Sequence, residues 1–213
     1  MEKIPVTVIA QVMGKNIDEQ IKYNFSMTQP EGYRKTLRLM KQAEKFRRPI
    51  ICFVDTIGAC PNATSEARGQ ASAISNNIIS MLSLKVPIIS FIVGNACSGG
   101  ALALCIADRI LMLDNASFTV ISPRAYAEIV WKDTTKVSDA KNAMRLSANI
   151  LVKQGVIDLL FPLTSNINDN PTQFFFKFRK IIIKEIKTLR RQSMSKLLKK
   201  RTKKFRSMGL YKK

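Results

Sequence analysis

Residues Val86 to Asp108 read VPIISFIVGNACSGGALALCIAD, and this stretch decides the fold. Ile88, Ile89, Phe91, Ile92 and Val93 place apolar side chains on both sides of an extended chain, the pattern of a strand buried on both faces. A small-residue turn, Gly94 to Gly100, follows, and Ala101, Leu102, Ala103, Leu104, Ile106 and Ala107 then read as a buried helix. Gly99 and Gly100 therefore stand where a strand hands over to a helix N-terminus. Main-chain N–H groups there lack helical partners, and the helix dipole favours negative charge beside them. With no Cβ in the way, a substrate oxygen can approach the peptide closely. The arrangement suits an oxyanion hole, although a Gly-Gly pair also serves simply to pack a helix tightly on a sheet.

A second segment separates these two uses. Pro49-Ile50-Ile51-Cys52-Phe53-Val54 echoes Pro87-Ile88-Ile89-Ser90-Phe91-Ile92, and it too runs into a small-residue turn, Asp55-Thr56-Ile57-Gly58-Ala59-Cys60-Pro61. Two strand–turn–helix units imply a repeated α/β architecture with both turns at one end of a sheet, where ligands bind in such folds. The remaining pattern predicts strands over residues 5–12 and 109–113, another over 117–121, and a short segment closing at Pro162. It predicts helices over 32–46, 66–84, 126–131 and 138–151, the last with Ser138 as N-cap.

Composition narrows the chemistry. The chain has 213 residues and no histidine, so Ser-His-Asp hydrolysis, Cys-His proteolysis and histidine-bound zinc each lack a required part. Cys52, Cys60, Cys97 and Cys105 form no C-x-x-C pair and read as small buried hydrophobes rather than metal ligands. Cys97 lies near a helix N-terminus, which lowers a thiol pKa, but no histidine exists to act as its base. No apolar run is long enough to span a bilayer, and the first ten residues read as a strand rather than a secretory signal; the expected location is the cytoplasm.

The formal charge of +20 is uneven: residues 177 to 213 carry sixteen Lys and Arg against Glu185 alone. Phe178, Ile182, Ile186 and Leu189 alternate there with Lys180, Lys184, Lys187 and Arg190 as in a basic amphipathic helix. Four readings stand for it: a solvated helix packed on the domain, docking on an acidic subunit or anionic substrate, nucleic-acid binding, and attachment to a membrane surface. The boundaries are a core over 1–163, a polar linker over 164–172 and a basic helical region over 173–213.

Six ordered motifs carry a resemblance. Pro30-Glu31-Gly32-Tyr33-Arg34-Lys35, Asp55-Thr56 with Gly58-Ala59, Arg68-Gly69-Gln70, Ser98-Gly99-Gly100-Ala101-Leu102-Ala103, Ile121-Ser122-Pro123 and Trp131-Lys132 together closely resemble the carboxyltransferase alpha subunits of bacterial acetyl-CoA carboxylases. The resemblance covers roughly residues 5–162, more weakly the basic helices, and implies a crotonase-like (ClpP/crotonase) fold of repeated ββα units. It implies transfer of a carboxyl group from carboxybiotin, held on a biotin carboxyl carrier protein, to acetyl-CoA, giving malonyl-CoA for fatty acid biosynthesis. It also implies a beta-subunit partner in an α2β2 heterotetramer, with zinc held only by that subunit and no cofactor or metal held by this chain. By the same resemblance Gly99 and Gly100 face carboxybiotin as the catalytic pair, and Ser98, Gly58 and Ala59 line the substrate site beside them. Arg68 and Lys132 orient substrate or partner, or else form internal salt bridges.

The site loops depart from the family pattern. Asn95-Ala96-Cys97 replaces Glu-Gly-Gly, Ile57, Cys60 and Asn62 replace Pro, Tyr and Gly, and Arg124-Ala125 replaces Glu-Gly. The chain also starts inside the family's usual length. Three readings follow: a divergent active subunit, a carboxylase for another acyl-CoA, and a non-catalytic partner of the beta subunit. Retention of Gly99-Gly100 favours the first.

Overall fold

The computed structural model describes residues 4–144, 147–162 and 170–209. Its centre is a parallel sheet in the order β1 (Thr7–Ala10), β2 (Ile50–Thr56), β3 (Ile88–Cys97), β4 (Arg109–Leu113), β6 (Leu159–Phe161), with β5 (Ser117–Thr119) paired to the far end of β3. The internal echo is the register itself. Ile50 pairs with Ile88, Ile51 with Ile89, Cys52 with Ser90, Phe53 with Phe91 and Val54 with Ile92. The two turns consequently leave the same edge of the sheet side by side.

Successive strand residues point to opposite faces, and each face has its own helical cover. Cys52, Val54, Ile88 and Ile92 belong to one cluster with Met40 of α2 (Pro30–Lys45), Met81 of α4 (Gln70–Ser83) and Leu104 of α5 (Ser98–Cys105). Ile51, Ile89, Phe91 and Leu111 pack with Phe178, Ile182 and Ile186 of α9 (Pro171–Arg190) and Leu197 of α10 (Met194–Arg206). The Phe91 and Phe178 rings lie 4.8 Å apart, centroid to centroid. The basic amphipathic helix is thus a layer of the fold: its apolar stripe covers the sheet and its lysines face water.

Arg201 of α10 locks that layer in place. It is 1% exposed, and all five of its N–H donors are used: two on the Asp108 carboxylate (2.8 and 2.6 Å) and three on the carbonyls of Met81, Leu84 and Val86 (2.6, 2.8 and 2.8 Å). Asp108 also accepts the Ile88 N–H at 2.8 Å. Nearby, Asp158 is shared by Lys204, Arg109 and the Ile110 N–H.

Several expected boundaries shift for local reasons. The helix expected over 66–84 is two, α3 (Ala63–Ala67) and α4, because Gly69 takes φ +82 between them. The helix expected over 138–151 is also two, α7 (Val137–Met144) and α8 (Ala148–Lys153), with Ser147 extended ahead of the second. The one expected over 126–131 starts earlier, as α6 (Pro123–Tyr126) capped by Ser122, and runs on as a π-helical turn, Ala127–Trp131. A short helix unforeseen from the sequence, α1 (Ile17–Lys22), is capped by Asn16. The expected linker lies mostly outside the described residues; Asn170 already caps α9.

Candidate active site

β3 runs straight into α5, so Gly99 and Gly100 fall in the first turn of a helix whose other residues are largely buried. Ser98 opens that turn at φ +60, a left-handed conformation that swings the chain from strand to helix. No partner outside the helix for the N–H of Gly99 or Gly100 occurs among the described residues. Ala96 is packed into the core, and the Cys97 thiol accepts from the Thr119 hydroxyl at 3.5 Å. The two side chains that replace family glycines are therefore occupied elsewhere.

The first turn meets the second at Gly100. A Cβ built there would lie 2.6 Å from the Ala59 nitrogen and 2.7 Å from the Gly58 carbonyl carbon, so only glycine fits. A Cβ on Gly99 would meet Ile74 at an ordinary 3.5 Å. Gly58 sits at φ +138, with its N–H donated to Thr56 Oγ1 at 3.1 Å. The structure thus joins Gly58, Ala59, Ser98, Gly99 and Gly100 into one patch at the ends of β2 and β3.

Polar residues from three other segments brace this patch. The Tyr33 hydroxyl donates to the Gly100 carbonyl at 3.3 Å, and Gln11 Nε2 approaches the same oxygen at 3.4 Å. Burial pushes the Tyr33 phenol up to about 12, so it stays a donor across the physiological range. Gln70, also buried, donates to the carbonyls of Thr28 and Cys60 at 2.8 and 3.2 Å and holds the 58–60 loop against the chain before α2.

Gly99 opens onto a mostly apolar cavity of about 600 Å³ walled by Leu102, Phe118, Thr119, Val120, Ile121 and Tyr126. Val120 is 80% exposed, and Leu102, Ile129 and Val130 also present large apolar surface nearby. A second cavity of about 440 Å³, its walls also mostly apolar, adjoins the first at Thr119 and includes Asn95, Cys97 and Lys141.

Residues 1–209 match the model of a protein family described as acetyl co-enzyme A carboxylase carboxyltransferase-like. The chain belongs to this family. Over 209 residues it is 46% identical to the acetyl-coenzyme A carboxylase carboxyl transferase subunit alpha of Clostridium botulinum, covering 98% of this chain and 76% of that protein. A Clostridium tetani protein named as subunits beta/alpha is 46% identical over the whole chain, which spans 37% of its length. Among solved structures, a transcarboxylase 12S hexamer superposes with a TM-score of 0.64 at 18% identity, covering 74% of this chain and 30% of that one. A Pseudomonas malonate decarboxylase hetero-tetramer gives 0.65 at 17% identity, over 75% and 65%. These likenesses establish the crotonase-type carboxyltransferase fold.

Within this carboxyltransferase family member the remaining motif residues find structural uses. Arg68 pairs with Glu31 (2.8 Å) and reaches Gln29 (3.1 Å), tying the start of α4 to the start of α2; the same contact holds the Glu31 carboxyl below its usual range. Of the two alternatives for Arg68, the geometry supplies the internal salt bridge. Lys132 is exposed at φ +55, just past the π-helical turn, with no ion pair among the described residues. Tyr33, Gln11 and Gln70 escaped sequence reasoning as site residues. Two of them lie in the quoted motifs, which were the available signal.

Proposed function

We propose that the chain is the alpha subunit of an acetyl-CoA carboxylase carboxyltransferase, active beside a beta subunit in the cytoplasm. It transfers the carboxyl group of carboxybiotin, presented by a carrier protein, to acetyl-CoA. The reading is carried by one observation: two adjacent helix-start amides with no outside partner among the described residues, at a turn where position 100 admits only glycine. Loss of the carboxyl group leaves negative charge on the ureido oxygen of biotin, and the amides of Gly99 and Gly100 are oriented donors for it. A single oxyanion donor of this kind contributes on the order of 3–4 kcal/mol to the barrier. No histidine is needed. The apolar cavity beside Gly99 suits the biotin rings, and the exposed apolar residues around it suit cover by a beta subunit. Biotin thus comes as substrate, and zinc belongs to the partner.

The test is reconstitution with a beta subunit and carrier, followed by malonyl-CoA formation. Turnover is expected from the wild-type pair, and its collapse with Gly100→Val while the pair still assembles. Gly99→Ala, whose Cβ meets only Ile74 at ordinary contact distance, is expected to keep most of the activity. An assembled pair that never carboxylates acetyl-CoA, where an ordinary alpha subunit does, overturns the proposal in favour of a non-catalytic partner.

A further inference from the structure

The second cavity is walled mostly by apolar surface, yet polar side chains from four elements reach it. Its walls bring together Asn95 and Cys97 from β3, Ser117 and Thr119 from β5, Ser122 from the start of α6, and Lys141 from α7. Lys141 is the only charged side chain among the described residues lining it. It is exposed and makes no ion pair among the described residues. The neighbouring polar groups are pre-set: Ser117 donates to Asn95 Oδ1 at 3.0 Å, which leaves the Asn95 amide nitrogen as a donor. Thr119 lines both this cavity and the one beside Gly99, and Cys97 and Gly99 flank the same residue, Ser98. The two cavities therefore adjoin, one reaching Gly99 and the other Lys141.

Resting on the carboxyl-transfer reading above, we infer that this cavity is a carboxylate subsite, in which Lys141 and Asn95 hold the carboxyl group of carboxybiotin while Gly99 and Gly100 face the ureido oxygen. The one cation lining the cavity among the described residues matches the single negative charge of a carboxylate. The lysine leaves with its charge unpaired once the carboxyl group has moved, so the subsite favours the loaded carrier over the spent one. Lys141 is a substrate-binding residue in this account.

Lys141→Met and Lys141→Arg, each assembled with the beta subunit, separate the possibilities through steady-state kinetics with both substrates. Lys141 is exposed on its helix, so neither change threatens folding, and a thermal melt checks this. The expected result is a KM for the carboxybiotin carrier raised about tenfold or more in Lys141→Met, a KM for acetyl-CoA within about twofold of wild type, and recovery of most of the loss in Lys141→Arg. Unchanged KM values in an active Lys141→Met complex overturn the subsite and leave the carboxyltransferase reading standing. A rise confined to acetyl-CoA overturns it too, assigning the cation to the acyl acceptor. A wild-type complex without turnover brings down both.

Discussion

At the scale of single residues, the site depends on what stands behind the reacting surface. Gly100 is held by contact with the Gly58–Ala59 peptide on one side and by the Tyr33 hydroxyl on the other. A buried hydrogen bond of this kind contributes about 1 kcal/mol. Tyr33 also has a titration signature. Its pKa rises from 10.0 unfolded to about 12 folded, chiefly through burial, so the folded state holds its proton more tightly. That contribution is complete below pH 10 and is lost as pH climbs toward 12. Denaturation followed across this window is expected to show stability falling more steeply for wild type than for Tyr33→Phe. Equal slopes for the two would place the phenol outside the linkage. The spacing of Gly99 and Gly100 was legible because strand–turn–helix grammar is local. The role of Tyr33 was not, since it and Gly100 are 67 residues apart and meet only because α2 and α5 both pack against α4.

At the scale of elements, the notable junction is α10 against the bottom of β3 and the end of α4. A buried Arg–Asp pair gains little over an apolar contact when complete, but removing one partner leaves a charge stranded and costs about 3–5 kcal/mol. Arg201→Met strands Asp108 and three carbonyls at once. The melting temperature is expected to drop by about 10 °C, at about 2–4 °C per kcal/mol for a domain of this size. Asp108→Asn with Arg201 intact is expected to cost less, because the amide still offers one acceptor. A melt of Arg201→Met within a degree of wild type would show that the pair does not anchor the helix. From the sequence, Arg201 is one more cation in a run of sixteen. Only its position on the buried side of α10 sets it apart. Gly69 illustrates the opposite case: a glycine inside an apparent helix was visible, but whether it continues or breaks the helix is a matter of its φ, +82 in the fold, which the sequence does not state.

At the scale of the whole molecule, the sheet is covered on both faces, and the second cover comes from the C-terminal helices. Removing residues 163–213 bares Ile89, Phe91, Leu111 and Phe161, all nearly inaccessible in the complete fold. A chain ending at Pro162 is expected to aggregate or to bind hydrophobic dye without a cooperative melt. A fragment 1–162 that melts cooperatively would instead support the boundary suggested by composition. The uneven charge follows the same layering, since lysines on the outer side of α9 and α10 keep a helix with an apolar inner face hydrated.

By itself, the order of residues determined the α/β core, its repeated strand–turn–helix units and the placing of a glycine turn between a strand and a helix start. Each of these depends on near neighbours: strand burial on both faces, backbone freedom at glycine and the handover into a helix. Which groups face that turn was decided by the tertiary structure alone. Tyr33, Gln70, Lys141 and Arg201 take their partners from distant segments, and a chain written in one dimension does not record which side of a helix the sheet will cover.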